Sequence, residues 1–131
     1  MTTMKASDEN VTVVSEMVFP SQSNHYGTLF AGEVLTLMSK AAFIAASRSA
    51  RKTVVMASLE RTTFHEPVRQ GQLAEAFGRV VESGQASLTV ETELYSENLL
   101  SGERRLCASG RFVMVVVGPD GRPLPRTEES R

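Results

Sequence analysis

One segment of the chain carries a helical hydrophobic pattern, and most of the chain after it alternates at the two-residue spacing of strands. Within residues 24–51, a polar, glycine-bearing loop leads into a run rich in Ala, Leu and Met. At helical spacing, one stripe of this run collects apolar side chains, namely Val34, Leu35, Met38, Ala41, Ala42 and Ala45. The opposite side is only weakly polar, which indicates a helix that other structure surrounds.

Five segments have the composition and alternation of β-strands: 11–19, 53–64, 72–82, 86–96 and 104–117. The third segment has Ala74, Ala76, Gly78 and Val80 on one face. Because most of these side chains are small, a bulky element can approach that face closely. The fourth alternates cleanly, with Glu93 and Tyr95 on its polar side. The order β-α-β-β-β-β predicts an α+β domain in which a strongly curved, five-stranded antiparallel sheet wraps one long helix.

A single helix cannot cover five strands completely, so part of the sheet stays open. Open edges and faces of sheets are commonly closed by pairing or packing with another copy of the chain. We therefore expect at least a homodimer.

The length of 131 residues fits one domain. We predict a flexible N-terminus at 1–10, a folded domain at 11–118 and a polar C-terminal tail at 119–131. The start of the chain lacks the apolar core of a signal peptide, and no stretch reaches the length of a membrane span. The single cysteine, Cys107, excludes an internal disulfide and fits a reducing compartment, so a cytoplasmic location is expected.

Charge and ligand spacing exclude two classes of function. The chain has 14 basic and 15 acidic residues without a basic stripe, which argues against binding nucleic acid through its phosphates. His25, His65 and Cys107 lack the usual spacing of zinc ligands. No metal and no cofactor is predicted. Cys107 is expected to be a small buried residue rather than a nucleophile.

Two motifs resemble those of the hotdog-fold acyl-CoA thioesterases, on the YciA and cytosolic acyl-CoA hydrolase branch. The first, around the helix start, comprises Asn24, Gly27, Phe30, Gly32 and Met38. The second, at the end of the second strand, comprises Thr63, Phe64, Pro67, Val68 and Gly71. The resemblance covers roughly residues 11–125 and implies the hotdog fold.

The resemblance also implies hydrolysis of an acyl-CoA thioester to a free acid and coenzyme A, at a site on a dimer interface. The backbone N–H groups of Ala31 and Gly32 would hold the thioester carbonyl, because unpaired amides at a helix N-terminus favour a developing oxyanion. Asn24 would orient the carbonyl or the attacking water. The same family includes hexamers built as trimers of dimers.

The chain departs from the family at Ser39, where relatives carry an acidic residue. Serine is no general base near neutral pH without a partner. Several explanations stay open. Another residue could act as the base, either Glu33 or His25 of the same chain or Glu60 or Arg61 of a second copy. Ser39 and Asn24 could instead position the water, with a low rate of hydrolysis, or the protein could bind acyl-CoA without hydrolysing it, as a sensor or carrier. A purely structural dimerisation module is a further alternative.

Structural roles compete with these assignments. Asn24 is also a common turn residue, Glu33 also suits the positive pole of the helix, and Ser39 also bonds readily to its own backbone. For the coenzyme A phosphates and nearby contacts the candidates are Arg61, Thr63, Arg69 and Arg122. Basic side chains including Arg126 are otherwise solvated surface.

Overall fold

The computed structural model describes residues 4–124. Strand β1 (Thr12–Met17) leads through a short 3-10 turn (Pro20–Gln22) to helix α1 (Ala31–Ala50). Four strands follow: β2 (Val54–Phe64), β3 (Leu73–Ser83), β4 (Ser87–Glu97) and β5 (Arg104–Val116). Every predicted element is present, and the largest difference at a strand end is in β1, where Val18 leaves the sheet ladder and donates its N–H to the Gln72 carbonyl at 3.0 Å.

The strands form one antiparallel sheet in the order β1-β3-β4-β5-β2, and α1 packs across one of its faces. The small face predicted for β3 meets the helix: Ala74 and Ala76 are fully buried, and Gly78 lies against the backbone of Ala41. The predicted hotdog architecture, a five-stranded sheet around one long helix, is confirmed.

The buried stripe of α1 differs slightly from the predicted one. Leu37 and Ala46 belong to it, whereas Leu35 is only partly buried. The expectation that the helix is surrounded on most of its circumference is wrong for the single chain, because Phe43 is 49% exposed and Lys40 is exposed. The sheet covers one side of α1 and leaves this other side open.

β2 is an edge strand that two irregularities interrupt. Its register against β5 shifts between Met56 and Ser58 and again between Glu60 and Thr63. Each shift adds one residue to β2, so the side chains opposite the inward-facing positions of β5 are Val54, Met56, Leu59 and Phe64. Three of these are only half covered: Met56 is 45%, Leu59 41% and Phe64 50% exposed.

The second irregularity contains Arg61 in a left-handed conformation, with φ of 50°. Beside it, the Thr62 hydroxyl is buried and has no hydrogen-bond partner within residues 4–124. The edge therefore stays long, apolar and locally bent.

The outer face of the sheet carries a second, smaller cluster. Met4 is 1% exposed and packs against Phe77 and Tyr95, whose rings meet edge to face at 5.6 Å. Glu93 is buried beneath them and accepts hydrogen bonds from the Met4 N–H at 2.9 Å and the Tyr95 O–H at 3.0 Å. The clean alternation expected for β4 is wrong at Glu93 and Tyr95, because the N-terminal segment covers them.

The division into residues 1–10, 11–118 and 119–131 stays a prediction, although Met4 is anchored rather than free. Residues 125–131, which include Arg126, lie outside the described range, as do residues 1–3. Within residues 4–124 no helix is long and apolar enough to cross a membrane.

Candidate active site

Two loops are joined at the start of the helix. The Leu29 N–H donates to the Val68 carbonyl at 2.8 Å, and the Gln70 N–H donates to the Gly27 carbonyl at 2.9 Å. Gly27 turns the first loop with φ of 77°, a conformation that favours glycine. The N-terminus of α1 therefore lies beside the end of β2.

Asn24 holds the first loop together with its side-chain oxygen. Oδ1 accepts hydrogen bonds from the Tyr26 N–H at 2.9 Å, the Thr28 N–H at 3.2 Å and the Thr28 hydroxyl at 3.1 Å. The structural role considered for Asn24 is therefore present in the structure. Its Nδ2 group has no hydrogen-bond partner in the described part of the chain, so two donors stay available for a ligand.

The helix starts without a side-chain cap. Phe30 occupies the N-cap position, and the first bonded amides are those of Glu33 and Val34, which both donate to the Phe30 carbonyl. Among residues 4–124 nothing accepts from the N–H groups of Ala31 and Gly32, and both residues are exposed. A Cβ built on Gly32 would meet no atom within 4 Å, so the protein's own packing does not require glycine there.

A cavity of about 330 Å³, the entrance cavity, opens at this point. Its walls come from the first loop, the helix start, the end of β2 and β5, and are formed by Asn24, Leu29, Ala31, Val34, Phe64, His65, Glu66, Pro67, Val68 and Cys107. The carbonyl-binding groups expected at Asn24 and Ala31 therefore share one cavity.

His65 lines the entrance cavity and was not predicted to do so. Its N–H donates to the Cys107 carbonyl at 2.7 Å, and its ring Nε2 lies 3.1 Å from the Ser109 hydroxyl. The available signal was its position inside the second motif, between Phe64 and Pro67. By contrast, His25 is exposed, stacks on Tyr26 at 4.0 Å and does not line this cavity.

The other two titratable groups of the cavity are constrained. Burial raises the pKa of the Cys107 thiol, which keeps it protonated near neutral pH and unsuited to act as a nucleophile. The Glu66 carboxylate pairs with Arg105 at 3.2 Å. Hydrogen bonds to Glu103 and Glu66 raise the pKa of the Arg105 guanidinium.

Ser39 lies elsewhere. It is two turns along α1, its hydroxyl donates to the Thr36 carbonyl at 2.9 Å, and it lines a second cavity of about 460 Å³. The walls of this apolar cavity are Val14, Ser39, Lys40, Phe43, Ile44, Met56 and Met114. It shares no wall residue with the entrance cavity, so one chain does not bring Ser39 together with Asn24. Glu33 lines neither cavity.

The candidates for coenzyme A contacts are dispersed. Arg61 and Thr63 lie exposed on β2, and Arg69 lines a polar cavity with Glu66 and Arg105. Arg122 is in the turn after β5, near Asp120 at 3.9 Å. Their assignment stays a prediction.

Residues 26–103 match the thioesterase superfamily. The chain is 30% identical to the acyl-CoA thioester hydrolase YciA of Salmonella typhimurium, over 95% of this chain and 96% of that protein. An acyl-CoA hydrolase structure from Agrobacterium tumefaciens aligns with a TM-score of 0.84 at 42% identity, over 95% of this chain and 49% of the other. This chain therefore spans about half of that relative. A hexameric acyl-CoA thioesterase aligns with a TM-score of 0.85 at 34% identity, over 88% of this chain and 74% of that chain.

An acyl-CoA hydrolase from Staphylococcus aureus has been solved with butyryl coenzyme A and coenzyme A. It is 25% identical to this chain and aligns with a TM-score of 0.83, over 89% of this chain and 71% of that one. Its solved variants replace an asparagine, an aspartate or a threonine by alanine. Along that sequence, the asparagine and the aspartate are as far apart as Asn24 and Ser39 are here, and the aspartate and the threonine are as far apart as Ser39 and Met56. This chain thus has Ser39 and Met56 at the corresponding spacings, and both line the apolar cavity.

The expected family is confirmed, and the chain belongs to the thioesterase superfamily, among the hotdog-fold acyl-CoA thioester hydrolases.

Proposed function

We propose that this protein hydrolyses the thioester of an acyl-CoA to a carboxylic acid and coenzyme A. The observation that carries the proposal is the pair of unbonded N–H groups of Ala31, which lines the entrance cavity, and of its neighbour Gly32. Amides fixed at a helix N-terminus stabilise the negative charge that develops on a carbonyl oxygen under attack by water.

Asn24 supplies the second half of this arrangement. Because its oxygen is used by the loop, its Nδ2 donors face a ligand with a fixed orientation. They orient the thioester carbonyl or the attacking water. Gly32 leaves room for the thioester to approach the backbone.

The oligomer is a homodimer or a larger assembly that contains this dimer. β1 and β2 are the two edge strands of the sheet, and β2 is the one that carries half-exposed Met56, Leu59 and Phe64. A second copy that pairs with β2 antiparallel about a two-fold axis would extend the sheet and cover these side chains. A hexamer made of three such dimers stays a proposal for this chain.

This pairing would complete the site. In a two-fold antiparallel pair, the Val54 end of one β2 lies beside the Phe64 end of the other. The apolar cavity at Met56 of one protomer would then lie next to the entrance cavity at Phe64 of its partner. An acyl chain bound at the entrance would extend into the apolar cavity of the partner, and Ser39 would lie along that path, where it positions water or the acyl group.

Binding without hydrolysis is the weaker candidate, because the relatives described above are named as hydrolases or thioesterases. The proposal includes a cytoplasmic location, which the single, unbridged Cys107 supports.

The test is release of free thiol from acyl-CoAs of two to sixteen carbons by purified protein, with coenzyme A binding measured in parallel by calorimetry. Turnover on at least one chain length is expected. Binding of coenzyme A without thiol release from any substrate would overturn the proposal in favour of a carrier or sensor.

Two variants of Asn24 separate its roles. Asn24→Asp keeps the acceptor for Tyr26 and Thr28 and removes the Nδ2 donors, so the loop stays folded while kcat falls by about tenfold or more. Asn24→Ala loses both roles and also lowers the melting temperature. Equal turnover in Asn24→Asp and the wild type would remove Asn24 from the site.

A further inference from the structure

We propose that a cavity at the C-terminal end of α1 binds a small organic diphosphate, at a site separate from the entrance cavity. This cavity, the arginine cavity, has a volume of about 750 Å³, which is typical of sites for small molecules. The end of α1, the segment that enters β1 and the end of β3 form its walls, through Asn10, Val11, Thr12, Ala45, Arg48, Ser49, Arg51, Val80 and Ser83. Binding there is independent of the proposed hydrolysis.

Within residues 4–124, the arginine cavity has two positive wall residues and no negative one. These are Arg48 and Arg51, and neither forms an ion pair with a carboxylate of the described chain. The carbonyl pole of the helix contributes only about half a negative charge. The two guanidinium groups outweigh that pole, and their planar sets of N–H donors match the oxygens of phosphate groups. The cavity therefore favours an anion with two phosphate groups.

A β-bulge in β3 keeps a carboxylate out of this cavity. The register of β3 against β4 shifts between Val80 and Glu82, because β3 has one extra residue there. Ser83 then pairs with Leu88, which is fully buried in the core beneath α1, so Ser83 faces the cavity and Glu82 faces the outer side of the sheet. With unbroken alternation from Val80, Glu82 would face the two arginines and offset their charge.

The two arginines are held by different contacts. The Arg48 guanidinium donates from Nη1 to the Thr12 hydroxyl at 3.3 Å, and its other N–H groups donate to no acceptor within residues 4–124. Arg51 caps the helix in a left-handed conformation, with φ of 53°, and its backbone N–H donates to the Ser47 carbonyl at 2.7 Å. Glycine is the usual residue in this conformation. The helix end therefore does not itself require an arginine at position 51.

The arginine cavity lies far from the proposed thioester site of the same chain. It shares no wall residue with the entrance cavity or with the apolar cavity. At a rise of about 1.5 Å per residue, Arg48 lies about 25 Å along the helix axis from Ala31. A ligand in the arginine cavity would therefore not contact the amides proposed to hold the thioester.

Binding is tested by calorimetry of the purified full chain with ADP, orthophosphate and adenosine in magnesium-free buffer. We expect saturable binding of ADP, weaker binding of orthophosphate, which offers one phosphate group to two arginines, and no binding of adenosine. Added salt should weaken ADP binding, because it screens exposed charges. Absence of ADP binding, or equal affinity for adenosine and ADP, would overturn the proposal.

Three variants locate the site, and a fourth is the matched control. Arg51→Gly removes the guanidinium and places glycine where the backbone favours it, so the Kd for ADP should rise by about tenfold or more while the melting temperature stays equal or increases. Arg48→Gln and Ser83→Glu should raise this Kd by about tenfold or more, the second because it supplies the carboxylate that the bulge excludes. Arg79→Gln removes the same charge from the outer face of β3, opposite Glu91, and should leave the Kd within about twofold.

The outcomes distinguish this site from the thioester site. A Kd for ADP that is unchanged in Arg51→Gly and Ser83→Glu would place the nucleotide elsewhere and overturn the proposal. In an active wild type, Arg51→Gly should keep the KM for acyl-CoA within about twofold. A rise of KM in parallel with the Kd for ADP would assign the arginines to the phosphates of the substrate and overturn a separate site. A wild type without turnover would contradict the hydrolase proposal alone, since ADP binding needs no reaction.

Discussion

Gly78 of β3 lies against the carbonyl of Ala41 in the central helix so closely that a Cβ at position 78 would be 2.8 Å from that oxygen. Real Cβ atoms do not approach backbone oxygens this closely, and the helix is held there by fully buried Ala41 and Ala42. The contact sets the distance between helix and sheet.

Gly78→Ala should therefore push the helix away from β3. We expect a loss of about 1–3 kcal/mol in the free energy of unfolding, because overpacking of a close-packed core costs that much. Thermal or urea unfolding measures it. Gly32→Ala is the matched control, since the added methyl group there contacts nothing in the protein. A Gly78→Ala variant as stable as the wild type would show that the helix shifts freely.

The same control variant carries its own prediction for activity. Gly32→Ala should be as stable as the wild type or more stable by about 0.5–1 kcal/mol, since alanine favours helix. Its kcat/KM should fall by about tenfold, because a methyl group occupies the space through which the thioester reaches the amides. Full activity in this variant would place the carbonyl elsewhere.

The edge of β2 gives a prediction for assembly. Leu59→Lys introduces a charge at an inward-facing position that is 41% exposed in the single chain and covered in the proposed dimer. The dimer dissociation constant should rise at least tenfold, about 1.4 kcal/mol, as measured by analytical ultracentrifugation. Leu100→Lys, at a position 99% exposed in the β4–β5 loop, is the control and should leave assembly unchanged. If Leu59→Lys dimerises like the wild type, β2 is not the interface.

Ser39 tests the arrangement of the two cavities. Ser39→Asp supplies a carboxylate beside the entrance cavity of the partner and should raise kcat by about tenfold or more, whereas Ser39→Ala should not. Steady-state assays of the two variants decide this. No gain in a folded Ser39→Asp dimer would mean that the apolar cavity does not adjoin the reacting thioester.

Cys107 gives a pH dependence of stability. Burial raises the folded-state pKa of its thiol above the unfolded value, so the thiol stabilises the fold fully below the unfolded pKa. That contribution is lost as pH rises through the folded pKa. The wild type should therefore lose more stability between about pH 8 and 10 than Cys107→Ala, in melts at matched ionic strength. Parallel curves for the two proteins would contradict the raised pKa.

Regular alternation made β3 predictable, because Ala74, Ala76 and Gly78 precede its only irregularity. Alternation does not describe β2, because the one extra residue between Met56 and Ser58 places Leu59 on the inward side, and nothing local in the sequence marks where a strand bulges. Glu93 looked solvent-exposed because the partner that covers it, Met4, is distant along the chain.

Some residues of the candidate site were also predictable from the sequence, and others were not. Asn24, Ala31 and Gly32 were placed by motifs, since the geometry of a helix start is local. His65 required the pairing of two loops through Leu29 and Val68, a tertiary contact that one sequence does not reveal. Ser39 was expected at the same site, but α1 carries it two turns away.

The two bulges of β2 also determine where this edge tolerates a deletion. Each bulge reverses the side-chain frame, and together they restore it, so Met56 and Phe64 face the same way across an irregular middle. Ala57 is the extra residue of the first bulge, so its loss alone would close that bulge and leave Met56 opposite Met114 and Ser58 opposite Val113. A single deletion at a bulge therefore shortens the strand and keeps the inward-facing side chains of both its ends in place.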